Sequence, residues 1–367
     1  MKRQHKAKRM LLSMTLALGA MTAPMATVDA INWGSIIGSV VGGAAVYQQT
    51  DAYMKHVDGT EEGRQEYFAR LKEEYGVSDD LYHTNLLGGI LSRLTDGIGA
   101  SDPSIYDKPF LYFLNPDTSF NAFCGLGRVM GVNQGIFSLS DNVDEVAVVL
   151  AHEMGHGMKN HVYSGTKKKL NTMIAASVAA GAMGDTALAN MAMNALVGQV
   201  NNVQITKRQE WEADNLAFDY TYAAGYNPGA GAALWQRIFE KEGEYKQNLV
   251  GEIFSPSDHP SHEARRDNYE KKLEKLSGGA VTIKKKTNTI RVNGKDFITP
   301  APAGDMSSAE RKYFIQGNLA AAYAHGEHKS RAYVLGNTVM LGNQAIMTCV
   351  SGDPSPSALA ALLNRIK

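Results

Sequence analysis

VVLAHEMGHGMKNH, residues 148–161, holds three histidines and a glutamate in a run otherwise small or apolar, apart from Lys159 and Asn160. Asn142 followed by Glu145 offers a capping pair just upstream, so the apolar periodicity predicts a helix from there to near His161. On such a helix His152 and His156, four residues apart, project from one face and can grip one metal ion. Zinc suits the pattern: neutral imidazole is a good ligand for it, and the adjacent Glu153 is free to accept a proton from water that the metal activates. HExxH by itself arises by chance in on the order of one chain in a hundred, so the reading needs a third ligand, with one position left for water.

Two candidates present themselves. His161 lies five residues after His156, whereas the extended metzincin pattern places a histidine six after and a glycine three after; Val162 and Lys159 stand there. The second candidate is KRQEWEADNLAF, residues 207–218, where Glu210 and Asp214 share a helix face. Glu210 could close the zinc site, and Asp214 could hold a ligand histidine in the correct tautomer. Glu212, roughly 200° around the helix from Glu210, reads as solvated or paired. On spacing alone, an ordinary charged helix face explains these acids equally well.

HExxH followed some fifty residues later by E-x-x-A-D, here His152, Glu153, His156, Glu210, Ala213 and Asp214, resembles the gluzincin family that groups the Ste-type CAAX proteases with the HtpX, Oma and BepA peptidases. NAFCGLG upstream is similar to the family's edge strand, and HPSHEAR downstream to its His-Pro segment with an arginine six positions on, so the likeness covers roughly residues 60–275. It implies an α+β fold, a mainly helical zincin domain with a small antiparallel sheet, and Glu210 as third zinc ligand. It further implies roles for His259 and Arg265 beside the site, stabilising the oxyanion of a tetrahedral intermediate, and a substrate strand laid along Asn121, Ala122 and Phe123. CGLGR departs from the proline and paired glycines of relatives. The long spanning helices that membrane-embedded branches place between the two motifs are absent here, which points to the soluble, exported branch.

The rest of the 367 residues fits this frame. Lys2, Arg3, Lys6, Lys8 and Arg9 precede an apolar run from Met10 to Ala23 and small residues at Val28 and Ala30, which reads as a signal peptide over 1–30. The run is short for a membrane span, so the expected location is exported, soluble and periplasmic. With 37 basic and 37 acidic residues overall, removing that segment leaves a slightly acidic chain with no electrostatic footprint for nucleic acid. Residues 31–46 predict a packed helix, with weak membrane contact as the minor alternative, and two further helices are expected over 60–94. PFLYFLN, SFNAFCG and RVMGVNQGIFSL predict an antiparallel meander. Residues 170–200 suggest two packed helices; further helices are expected over 206–224 and 229–247. Near Gly278 the texture changes to strands, with Asn293-Gly294 a hairpin signal, a helix capped by Ser307 and Glu310, more strands, and a last helix from Ser357. The expected division is a metallopeptidase domain over 31–278 and a small α+β domain over 280–367 of open role. Cys124 and Cys349 could bridge in an oxidising compartment or remain two small buried hydrophobes.

The reading that follows is a zinc endopeptidase acting on extended or misfolded cell-envelope proteins, with one zinc ion and Glu153 as general base. The alternative is an envelope chaperone whose metal site is latched by His259. Oligomeric state, cleavage specificity and natural substrate are not encoded in any motif.

Overall fold

The computed structural model describes residues 43–140, 142–180, 205–242, 260–284 and 286–367. The expected signal peptide, most of the 31–46 segment, the second helix of the 170–200 region, the end of the 229–247 helix and His259 lie outside the described residues.

Helices come first along the chain: α1 (Gly43–Gly59), α2 (Glu61–Tyr75) and α3 (Leu81–Gly99). Thr60 and Asp80 cap the last two by accepting from the amides of Gly63 and His83. A three-stranded sheet follows, β1 (Leu111–Asn115), β2 (Ala122–Cys124) and β3 (Val129–Asn133). Its order is β1-β3-β2, with β3 parallel to β1 and antiparallel to β2, so it is not a meander. Alternation cannot specify which neighbour a strand takes. Here a buried side-chain hydrogen bond from Asn115 Nδ2 to Asn133 Oδ1, 2.7 Å, ties the ends of β1 and β3 in parallel, and β2 is left on the edge.

Helix α4 (Val143–Met158) is the centre of the molecule: every residue from Glu145 to Gly157 is buried. That all-round burial explains why its apolar residues are not confined to one face. Asn142 caps it as expected, accepting from the Asp144 amide. Glu145 does not complete a capping box; its carboxylate turns inward to Ser140 and Arg237. After a turn at Lys159–Asn160, α5 (His161–Ala180) leads away. Helix α6 (Lys207–Ala223) starts with a full capping box between Thr206 and Gln209 and packs on α4; α7 (Ala230–Glu242) and α8 (His262–Leu276) complete this part.

From Val281 the chain repeats itself. Strands β4 (Val281–Ile283), β5 (Ile290–Val292) and β6 (Lys295–Ile298) form an antiparallel sheet followed by α9 (Ser308–Ala324); β7 (Ala332–Leu335), β8 (Thr338–Leu341) and β9 (Gln344–Thr348) form another, followed by α10 (Pro356–Ile366). Asn293 and Gly294, at φ 48° and 76°, make the expected tight turn. The two units match in detail. Each has a register break within its middle strand, after the first residue of β5 at Ile290/Arg291 and after the second of β8 at Val339/Met340. Each pairs two threonine hydroxyls across that hairpin, Thr289 with Thr299 at 2.7 Å and Thr338 with Thr348 at 2.9 Å. Each enters its helix through Gly-Asp-x-Ser, with Ser307 and Ser355 as caps; the final helix therefore begins at Pro356, not at Ser357. Asp305 grips Arg237 of α7, two helices back, and Asp353 grips Arg311 of α9, the helix just before its unit.

The cluster around α4 takes in Tyr313 and Ala320 from one face of α9, while the two units share a second hydrophobic cluster. Cys124 belongs to the first and Cys349 to the second; both are buried and free, so the disulfide reading is set aside. Among the described residues no helix is long and apolar enough to cross a membrane.

Candidate metal centre

The site depends first on how closely α4 and α6 approach. Gly155 on α4 faces Ala213 on α6, and a Cβ at Gly155 would lie 3.3 Å from the Ala213 Cα. Small residues at this contact bring the two helices together, which puts Glu210, one turn before Ala213, within reach of the paired imidazoles. The alanine of E-x-x-A-D thus has a packing reason. Gly157 serves β2 similarly, since a Cβ there would meet Phe110 at 2.6 Å and the Cys124 sulfur at 2.8 Å.

His152, His156 and Glu210 converge, the arrangement that the family resemblance implied. The two Nε2 atoms lie 3.0 Å apart; Glu210 Oε2 is 3.5 Å from one and Glu210 Oε1 3.4 Å from the other. All three side chains are buried, and their ligand atoms lie within 4.8 Å of one another, a group able to hold a metal ion. Two imidazole nitrogens and a carboxylate oxygen are a borderline-soft donor set that fits zinc. The electrostatics agree that this place attracts positive charge. Burial pushes the His152 imidazole down, but hydrogen bonding to Asp214 and Glu210 outweighs it and lifts the group to about 9. His156, where burial prevails, is held below the usual histidine range.

Glu153 points to the sheet rather than into the donor set. Its Oε2 accepts a 3.0 Å hydrogen bond from the Cys124 backbone amide. Burial, reinforced by the negative charge of Glu210, raises this carboxyl to about 7, although His152 and the Cys124 amide oppose the shift. Asn121, Ala122 and Phe123 lie on or beside the edge strand β2, next to this contact. Asn121 and Gly125 bond to β3, so the amide of Cys124 faces the free edge and is available to Glu153.

Asp214 stands behind His152, Oδ1 at 3.0 Å from Nδ1, as expected of a residue that fixes the tautomer. Arg265 is a correction. Its guanidinium is buried against Asp214, with Nε donating to Oδ2 at 2.7 Å and Nη2 to Oδ1, and its Cζ sits over the Trp235 ring, 3.8 Å from the centroid. It reaches the Nδ1 edge of His152 at 3.1 Å, not the Nε2 edge that faces the donor set. An oxyanion donor must face the reacting carbonyl; Arg265 instead braces Asp214, which it holds below the ordinary carboxylate range despite burial. His259 lies outside the described residues.

Two residues escaped the sequence reading. His161, rejected as a ligand, is buried with Nδ1 2.9 Å from His156 Nδ1. Glu212, read as solvated or paired with no partner named, has its Oε2 3.5 Å from His161 Nε2. The available signal was chemical: each ligand imidazole has a second nitrogen needing a partner, and Asp214 serves only one of them.

Comparison with known proteins adds independent support. Residues 85–272 match the model of peptidase family M48. The metalloprotease LoiP of Escherichia coli (strain K12) is 32% identical over 177 residues, 47% of this chain and 66% of LoiP. The beta-barrel assembly-enhancing protease of the same organism is 24% identical over 184 residues, 48% of this chain and 36% of that protein. The mitochondrial metalloendopeptidase OMA1 of Schizosaccharomyces pombe is 25% identical over 248 residues, 63% of this chain and 69% of OMA1. The match to LoiP thus spans just under two thirds of that relative's length, and the match to the assembly-enhancing protease about a third. The matched segment runs from α3 through α8 and contains both helices of the donor set: the chain belongs to peptidase family M48.

Proposed function

We propose that the chain is a zinc-dependent endopeptidase that hydrolyses peptide bonds in extended or misfolded proteins of the cell envelope. The observation that carries this reading is the convergence of His152, His156 and Glu210 with Glu153 held beside them by a backbone amide. His152, His156 and Glu210 would hold one zinc ion. When bound, the ion supplies Lewis acidity, drawing electron density from the scissile carbonyl and acidifying water at its open position.

The protein's own groups do the rest. Glu153 accepts the proton of the attacking water and delivers it to the leaving amine, a role suited to a carboxyl lifted to about 7. The Cys124 amide fixes which Glu153 oxygen is free for that work. Asp214, braced by Arg265, keeps His152 in the tautomer whose Nε2 lone pair faces the donor set. An extended substrate adds to the β2 edge around Asn121, Ala122 and Phe123, where backbone pairing gives affinity with little demand on sequence.

The envelope assignment is supported by the basic and apolar pattern of residues 1–30 and by similarity to a protease named for enhancing beta-barrel assembly. The division into a peptidase domain over 31–278 and a small α+β domain over 280–367 is supported by the hydrophobic cluster that the two C-terminal units share, although α9 also packs into the cluster around α4. Metal analysis combined with digestion of unfolded casein tests the reading. Wild type and Glu153→Gln should each carry one zinc ion, and only wild type should cleave. Equal cleavage by both proteins, or a metal-free wild type that cleaves at full rate, overturns it.

A further inference from the structure

We propose that His161 is a positioning residue for the metal centre, holding His156 in the tautomer that presents Nε2 as a ligand, and that Glu212 orients His161 in turn. The inference rests on reading His152, His156 and Glu210 as zinc ligands.

The polarity of the contacts follows from elementary hydrogen-bond accounting. His156 Nε2 lies 3.0 Å from His152 Nε2 and 3.4 Å from Glu210 Oε1, so this nitrogen faces the shared centre and must offer a lone pair there. A neutral imidazole then carries its proton on Nδ1. That N–H meets His161 Nδ1 at 2.9 Å, which can accept it only as a bare nitrogen. His161 therefore keeps its own proton on Nε2, and Glu212 Oε2 lies 3.5 Å from that nitrogen. Proton positions are thereby fixed along the series Glu212, His161, His156.

The chain is built to make this contact. Asn160 takes a left-handed conformation, φ 51°, between α4 and α5, and so turns the first residue of α5 back against the last turn of α4. The His161 ring meets the His156 ring edge-on, with centroids 5.0 Å apart. Its Nδ1 faces the far edge of His156, which excludes it from the donor set formed by the two Nε2 atoms and Glu210. The two ligand histidines are thus served differently, His152 by a carboxylate paired with a guanidinium and His156 by a second imidazole.

Partners of metal-bound histidines typically contribute tenfold to a hundredfold in metal affinity. Zinc affinity of the full chain, measured by competition with a chromophoric chelator, tests the proposal. His161→Phe, which fills the space without an acceptor, should bind zinc about ten to a hundred times more weakly. His161→Asn, whose Oδ1 can accept the His156 proton, should recover most of that loss. A phenylalanine variant that binds as wild type does, or an asparagine variant as weak as phenylalanine, overturns the proposal. A wild-type chain that binds no zinc would instead overturn the reading of the centre itself. In the zinc-loaded wild type, long-range proton–nitrogen spectra should show His161 protonated on Nε2 and bare on Nδ1; a proton on Nδ1 overturns the proposal even if the phenylalanine variant fails to fold.

Discussion

Asp214 shows how one buried charge serves two neighbours. It accepts from the Arg265 guanidinium on one side and meets His152 Nδ1 on the other, with all three groups nearly sealed from solvent. Removing its charge takes from Arg265 the carboxylate to which Nε and Nη2 donate, and breaking a buried pair costs roughly 3–5 kcal/mol. Asp214→Asn should therefore lower the unfolding free energy by about that amount in urea titrations, whereas the pair Asp214→Leu with Arg265→Met should lose much less. Additive losses in the double variant would show that the two side chains do not act together. Most of this constellation was legible in the sequence, because HExxH and E-x-x-A-D are local patterns whose helical spacing fixes direction. His161 and Glu212 were not legible, because their meeting depends on the left-handed residue at Asn160 and on the relative pose of α5 and α6, neither of which has a periodic signature. Arg265 was found by its motif but given the wrong neighbour, since a motif names residues without saying which face they turn.

The contact of α4 with α6 is set by backbone proximity, not by interlocking large side chains. Gly155 tolerates one methyl with a shift of a few tenths of an ångström, for the nearest atoms stand 3.3–3.4 Å from its would-be Cβ. Gly155→Ala should keep zinc affinity within a few-fold of wild type, while Gly155→Leu should force the helices apart and abolish measurable zinc binding although helical circular dichroism persists. Retained zinc in the leucine variant would mean that Glu210 is not positioned by this contact. Helices α3, α4, α6 and α9 lie close to their expected spans because caps such as Asp80, Asn142, Thr206 and Ser307 mark where each begins. The sheet was less legible. The three strands read as an antiparallel meander, whereas β3 takes the middle and runs parallel to β1 from Leu111–Val129 to Asn115–Asn133, a long-range pairing with no local signature.

At the level of the whole molecule, the peptidase part and the duplicated units meet at Arg237. This buried residue of α7 approaches Glu145 at the start of α4 at 3.4 Å and Glu310 at the start of α9 at 3.7 Å, and it binds Asp305. Burial raises the Glu145 carboxyl to about 7, with Arg237 opposing the shift. A carboxyl raised above its unfolded value of 4.5 favours the native state while both states hold the proton, and that benefit is lost as pH climbs through about 7. Stability should accordingly fall between pH 5 and 7 through this group, and Glu145→Gln should flatten the decline by at most about 3 kcal/mol. Parallel urea titrations of both proteins across that range check the sign; identical slopes would refute it. The duplication itself was hidden from the sequence reading because the two units share few identities. Their likeness resides in the threonine pairs, the register breaks and the Gly-Asp-x-Ser entries, which gain meaning only once paired in space. Arg237 also makes the two halves electrically unequal. Were the chain divided between α8 and β4, the first fragment would keep a matched cation and acid, whereas the second would inherit two carboxylates clustered to share a guanidinium left behind. The part built on α4 is the one that could be excised with these charges settled, and the tandem units are the part left with unmatched carboxylates.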